Sequence, residues 1–155
     1  MAEVLIGNYT ARFDASGRIK IPEKFREAIQ ASYGKDLFVT SLTDESVQIY
    51  PLSVWLEMTG VTAEGAIHLR PDVRKFMLRV NRNGSRHELD SKGRVLITQW
   101  LRTKAGLQAE VQVIGLNSYL EVWDRARLDE KMAKKPLTYE DFKKIAKLMS
   151  DRKTE

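Results

Sequence analysis

A five-residue phrase, Asp14-Ala15-Ser16-Gly17-Arg18, returns 76 positions later as Asp90-Ser91-Lys92-Gly93-Arg94. Of the 18 aligned positions from Arg12 to Ile29, five are identical: the Asp, Gly and Arg, then Ile21/Ile97 and Arg26/Arg102. Phe13/Leu89, Ile19/Val95 and Phe25/Leu101 keep apolar character. Average residue usage gives unrelated segments of this size roughly one identity. The chain is therefore read as one structural unit written twice, and that repeat constrains the architecture before any local propensity does.

Each copy carries the same local logic. Asp opens a type I turn, where its carboxylate can accept nearby backbone N–H groups, and Gly takes the left-handed conformation that closes a hairpin through a bulge. Tyr9–Phe13 and Arg18–Ile21 alternate with period two, which puts Ile19 and Ile21 on one face and Arg18 and Lys20 on the other. Val95 and Ile97 repeat the inner face, whereas Leu96 stands where the first copy has Lys20. A short helix is expected after each hairpin: Pro22 at its first position, Phe25, Ala28 and Ile29 as its stripe and Gly34 as its stop, then Thr98 as cap, Leu101 and Ala105 inward and Gly106 as stop. Strand pairs Leu37–Thr40 with Val47–Tyr50, and Val111–Ile114 with Leu120–Trp123, follow, joined by expected loops Ser41–Ser46 and Gly115–Tyr119. Helical starts at Pro51–Trp55 and Asp124–Lys131 complete a β-β-α-β-β-α order run twice. About 45 residues cannot bury much core alone; two copies together can.

At 155 residues, 43% hydrophobic and 30% charged, the chain has the size and composition of one globular unit, 1–155. It has no cysteine, so neither disulfide nor thiolate metal site is expected, which suits a reducing cytoplasm. The start, Met1 to Gly7, lacks a basic region and its apolar run is too short for a leader; no stretch approaches a membrane span. Net charge is +5, and the interval from Arg70 to Arg94 alone holds eight Arg/Lys against Asp72, Glu88 and Asp90. That clustering favours a polyanionic partner, with a solvated helix face as the bland alternative. Within it, Pro71 should open a helix whose Val73, Phe76, Met77 and Val80 form a core or subunit-contact stripe before Asn81–Gly84 ends it. Met58–Ala66 is expected as a loop. Thr138 and Asp141 read as a capping box for a C-terminal amphipathic helix, 138–150, with Phe142, Ile145, Ala146 and Met149 on one face.

No catalytic signature emerges. His68 and His87 are isolated, and no metal-binding His cluster, nucleophile elbow or Gly-rich phosphate loop is present. Asp44-Glu45 fits a solvated hairpin loop, and Asp14 and Asp90 fit turn caps. No enzyme activity, cofactor, metal or small-molecule substrate is expected. Arg18 and Arg94 read differently, because a turn that needs Asp and Gly has no use for Arg immediately after it. Either each Arg steadies its Asp by an ion pair, or it presents a guanidinium to phosphate or a guanine edge; the two roles are compatible.

The doubled Asp-x-x-Gly-Arg hairpin resembles the MraZ family of bacterial transcriptional regulators, which carry two tandem SpoVT/AbrB-type domains. The likeness spans nearly the whole chain through Gly7-Asn8-Tyr9, Asp14–Arg26, Tyr50-Pro51-Leu52 with Trp55, Glu88–Ile97, Ala105-Gly106-Leu107 and Glu121-Val122-Trp123-Asp124. It implies an α+β, mainly β fold: repeats 7–54 and 83–127 forming a pseudo-twofold, double-ψ-like swapped-hairpin barrel with peripheral helices. It also implies a ring-like homo-oligomer that binds double-stranded DNA at spaced promoter repeats of the division and cell-wall gene cluster, usually as a repressor, in the cytoplasm and at the nucleoid. The DNA contacts the resemblance implies are Asp14, Arg18, Asp90 and Arg94; Arg12, Lys20, Arg86 and Lys92 are added to these as flanking basic residues. The copies differ at Pro22/Thr98 and Lys20/Leu96, which leaves open whether both hairpins take equal part. A protein-interaction or scaffold module of antitoxin-like barrel type is the rival reading.

Overall fold

The computed structural model describes residues 4–153, so residues 1–3 of the start read above lie outside the described residues. In chain order the elements are β1 (Leu5–Arg12), β2 (Arg18–Lys20), α1 (Glu23–Ser32), β3 (Asp36–Thr40), β4 (Val47–Pro51), α2 (Leu52–Thr59), α3 (Pro71–Asn83), β5 (Ser85–Glu88), β6 (Arg94–Leu96), α4 (Gln99–Lys104), β7 (Glu110–Asn117), β8 (Leu120–Asp124), α5 (Arg125–Lys134) and α6 (Tyr139–Lys153). The class is α+β with antiparallel strand pairing. Helices hold more residues than strands, a correction to the mainly-β expectation, because α3, α5 and α6 add helix outside the repeated unit.

The repeat is visible in how the strands pair. A six-stranded sheet runs β1-β7-β8-β4-β3-β5, and a two-stranded ribbon pairs β2 with β6. Exchanging β1 with β5, β3 with β7 and β4 with β8 reverses the sheet order into itself. The first strand of each copy lies on the other copy's strand: β1 on β7, with Tyr9 opposite Val113, and β5 on β3, with His87 opposite Leu37. In the ribbon, Ile19 sits opposite its own repeat counterpart, Val95. Ile21 N donates to Gly93 O at 2.9 Å and Ile97 N donates to Gly17 O at 3.1 Å, the same bond made in each direction.

This exchange corrects the local hairpin reading. The turns form as expected, with Gly17 N on Asp14 O at 3.1 Å and Gly93 N on Asp90 O at 3.0 Å. The arms of the first turn then share only the isolated bridge Phe13–Ile19 before diverging into different layers. The arms diverge because both are apolar on the inner side and find more to bury against the opposite copy than against each other. Ile19, Ile21, Val95 and Ile97 are all fully buried, joined in one core with Leu37, Val39, Ile49, Val111, Val113 and Val122. Each such side chain contributes roughly 1.5–3 kcal/mol on burial.

A second cluster covers the sheet's far face, built from Phe38, Tyr50, Trp55 and Val80. Trp55 from α2 lies 4.7 Å from the Phe38 ring and 5.0 Å from Tyr50. Here two local expectations are corrected. Met58–Ala66 is largely helical, as α2 runs to Thr59 and a 3₁₀ turn covers Gly60–Ala63. Of the α3 stripe, expected as core or subunit contact, Val80 is fully buried in this cluster and Phe76 is exposed on the single chain. The second strand pair is longer than read: Gly115 lies inside β7, where a Cβ would come 2.5 Å from the Leu5 backbone, and the turn narrows to the residues around Asn117, whose φ is 70°. The capping box at the last helix forms as read, with Asp141 N on Thr138 Oγ1 at 3.2 Å and Thr138 N on Asp141 Oδ2 at 3.0 Å. No helix among the described residues is long and apolar enough to cross a membrane.

Candidate nucleic-acid interface

The ribbon presents a charged outer face because its inner face is committed to the core. With Ile19 and Val95 inward, the register sets Arg18 opposite Leu96 and Lys20 opposite Arg94. Residues so placed have Cβ atoms about 5 Å apart, and diagonal neighbours such as Arg18 and Arg94 about 7–8 Å apart. Three cations therefore occupy a patch four residues in extent on the two strands of the ribbon, with the two Asp-x-x-Gly turns flanking it.

Each turn aspartate is a cap. Asp14 Oδ1 accepts from Ser16 Oγ at 2.6 Å, Ser16 N at 2.9 Å and Arg18 N at 3.0 Å. The Ser16 hydroxyl bond, followed by the backbone bond from Arg18, pulls its pKa down to about 2, so it stays ionised. Asp90 Oδ1 accepts from Lys92 N at 2.9 Å and Arg94 N at 2.8 Å, and these backbone bonds, led by the Arg94 N–H, likewise lower its pKa. The Arg94 guanidinium adds Nε to Asp90 Oδ2 at 2.8 Å and Nη1 to Asp14 Oδ2 at 3.1 Å. Arg94 thus bridges the two copies, at about one-third side-chain exposure. Arg18 Nη1 reaches Ser16 Oγ at 3.3 Å.

Two arginines given no role by the sequence reading complete the site. Gly17 would place a Cβ 2.8 Å from Arg102 Nη2, and Gly93 would place one 2.6 Å from Arg26 Cδ. Each of these two repeat-matched arginines therefore lies against the turn of the opposite copy. Arg26 donates to Ser91 O at 3.1 Å, and Arg102 donates to Ile97 O at 3.0 Å and lies over the Phe13 ring. Their identity in the repeat was the available signal; the cross-copy partner was not. His87, opposite Leu37 on β5, is partly buried, and that burial, with the nearby Arg18 charge second, lowers its pKa and favours the neutral ring.

The flanking cations divide. Lys20 and Lys92 are exposed on the ribbon and on the second turn. Arg12 and Arg86 lie on strands of the six-stranded sheet and not on the ribbon, although Arg12 lines one cavity with Lys20. Arg12 ends β1 opposite Glu110 and is paired with it at 2.9 Å, and Arg86 sits opposite Phe38, on the sheet face that carries the α2–α3 cluster. Both occupy the strand parity that faces away from the core shared with the ribbon. Within the basic interval 70–94, Lys75, Arg79 and Arg82 line one cavity together with Lys104, and two of the interval's cations are paired. Arg70 is paired with Asp72 at 2.8 Å, and Arg79 with Asp44 at 3.1 Å.

Comparison with known proteins gives a consistent result. Residues 82–153 match a family model described as "MraZ protein, putative antitoxin-like". A protein of Acidobacterium capsulatum named Transcriptional regulator MraZ is 37% identical over 140 residues, covering 90% of this chain and 95% of that protein. Proteins of the same name from Finegoldia magna (31% identical, covering 90% of this chain and 94% of that protein) and Nitrosomonas europaea (37%, covering 79% and 82%) are also similar.

Proposed function

The chain belongs to the MraZ family, and from that premise we propose that it is a transcriptional regulator binding double-stranded DNA through the β2–β6 ribbon and its two flanking turns. The observation that carries this reading is the outward row Arg18, Lys20 and Arg94 on a ribbon whose other face is buried. A two-stranded β-ribbon fits the major groove, and Arg is the side chain suited to a guanine edge. Lysines beside it supply phosphate contacts, which set affinity and its salt dependence without reading sequence. Asp14 and Asp90 act as the caps that fix the turns, not as groups that touch an anion.

In this reading the chain is two SpoVT/AbrB-type repeats, 7–54 and 83–127, closing one swapped-hairpin barrel, with 138–150 as an appended helix. The mutual exchange of first strands supports it. One such patch offers few contacts, so the proposal includes a ring-like assembly of copies on spaced repeats, gaining affinity through effective concentration. Apolar side chains left exposed along α6, among them Phe142, Leu148 and Met149, support a role for that helix in assembly. The family resemblance points to the division and cell-wall gene cluster as the target. The relatives reported above are named for regulation rather than for catalysis.

Arg18→Ala tests the mechanism directly. Mobility shift at fixed salt should show loss of specific binding, while circular dichroism and thermal melting stay near those of the wild type. Unchanged affinity for the specific duplex would remove the ribbon from the mechanism.

A further inference from the structure

The two motif arginines align in sequence but differ in their partners. Arg94 engages Asp90 Oδ2 through Nε at 2.8 Å and Asp14 Oδ2 through Nη1 at 3.1 Å, so a single guanidinium joins both turns. Arg18 has no carboxylate within ion-pair distance among the described residues; its Nη1 reaches only the Ser16 hydroxyl, at 3.3 Å. Local residues account for the difference. Ser16, which aligns with Lys92, donates its hydroxyl to Asp14 Oδ1 at 2.6 Å, leaving Oδ2 to the cation arriving from the other copy. Lys92 has no hydroxyl, and Asp90 Oδ2 is taken by its own arginine. Across the ribbon, Arg94 faces Lys20 and Arg18 faces Leu96. The pair Arg94 and Lys20 is therefore balanced by Asp14 and Asp90, while the charge of Arg18 has no such balance. Two of the five N–H donors of Arg94 are committed to carboxylates, including donors a bidentate base contact would need.

We infer that Arg18 alone reads base edges, and that Arg94 is a positioning residue, a clasp between the turns that fixes how Arg18 is presented. This inference rests on the DNA-binding reading above. It makes one loop of each subunit the reader and the other its support.

The test uses the full chain. Selection from a random duplex library supplies a preferred duplex, and affinity for it and for a shuffled duplex is measured at one salt concentration, alongside thermal melting. Lysine keeps the charge of arginine but not its planar fork, so it rescues a clasp and not a bidentate reader. Arg18→Lys should lower the preferred-to-shuffled ratio by about 5- to 150-fold, the range of one bidentate base contact. Arg94→Gln should lower both that ratio and the melting temperature, and Arg94→Lys should bring the ratio back close to that of the wild type. Loss of discrimination in Arg94→Lys as large as in Arg18→Lys, or full discrimination in Arg18→Lys, overturns the inference while leaving the DNA-binding reading in place. A wild-type chain that does not distinguish the selected duplex from the shuffled one overturns both.

Discussion

Gly17 and Gly93 sit at φ 83° and 74°, each with an arginine of the opposite copy where a Cβ would go. A left-handed backbone costs an L-residue about 1–2 kcal/mol before any contact is counted. Gly93→Ala should therefore lower unfolding free energy by at least that amount, read by chemical denaturation, with further loss as Arg26 is displaced. The turn aspartates bring a pH dependence. Asp14 titrates near 2 in the folded chain against an ordinary 3.8, so the folded state binds fewer protons in that window. Its stabilising contribution is complete above the unfolded pKa and disappears as pH falls from about 4 to 2. The stability difference between wild type and Asp14→Asn should be flat above pH 5 and shrink through that interval, as followed by denaturation at each pH. At this scale the sequence was informative about Asp, Gly and Arg, since each answers a local backbone demand. The roles of Arg26 and Arg102 were hidden because their partners, Ser91 and the Gly17 turn, belong to the other copy.

Elements whose ends are marked by capping chemistry were legible. Thr98 caps α4 through Leu101 N, and Thr138 with Asp141 starts α6, as their spacing indicated. The region after α2 was not, since Thr59-Gly60 and a run of small polar residues carry loop propensity. Packing overrides it: Trp55 is inserted between Phe38 and Tyr50, and Thr59 Oγ1 donates back to Trp55 O at 2.7 Å, extending the last turn. Trp55→Ala should consequently cost about 3–5 kcal/mol, the range for emptying a buried aromatic site. Because Trp55 lies on the sheet face away from the ribbon, DNA affinity per folded molecule should be unaffected at temperatures where the variant is native, a split that calorimetry and mobility shift together would detect.

The whole molecule is held by strands that cross between copies, a property no local pattern encodes. The repeat predicted two matching halves, and period-two alternation predicted which faces are buried. Neither says that β1 joins β7 or that β2 joins β6, because the partners are a hundred or so residues apart in one case and 76 in the other. Each half alone would leave Ile19 and Ile21, or Val95 and Ile97, without the opposing strand that covers them. Cutting the chain at exposed Gly65 should thus give two fragments that are unfolded apart and recover native circular dichroism when mixed.

Covalent fusion of two interlaced halves also changes what mutation can do. In an assembly of two identical half-length chains, every substitution appears on both sides of the axis at once. Here Ser16 has Lys92 as its counterpart in the repeat, Lys20 has Leu96, and Pro22 has Thr98. Only a single gene spanning both halves can keep such differences, so the linker from β4 to β5 is what lets the two turns carry different residues.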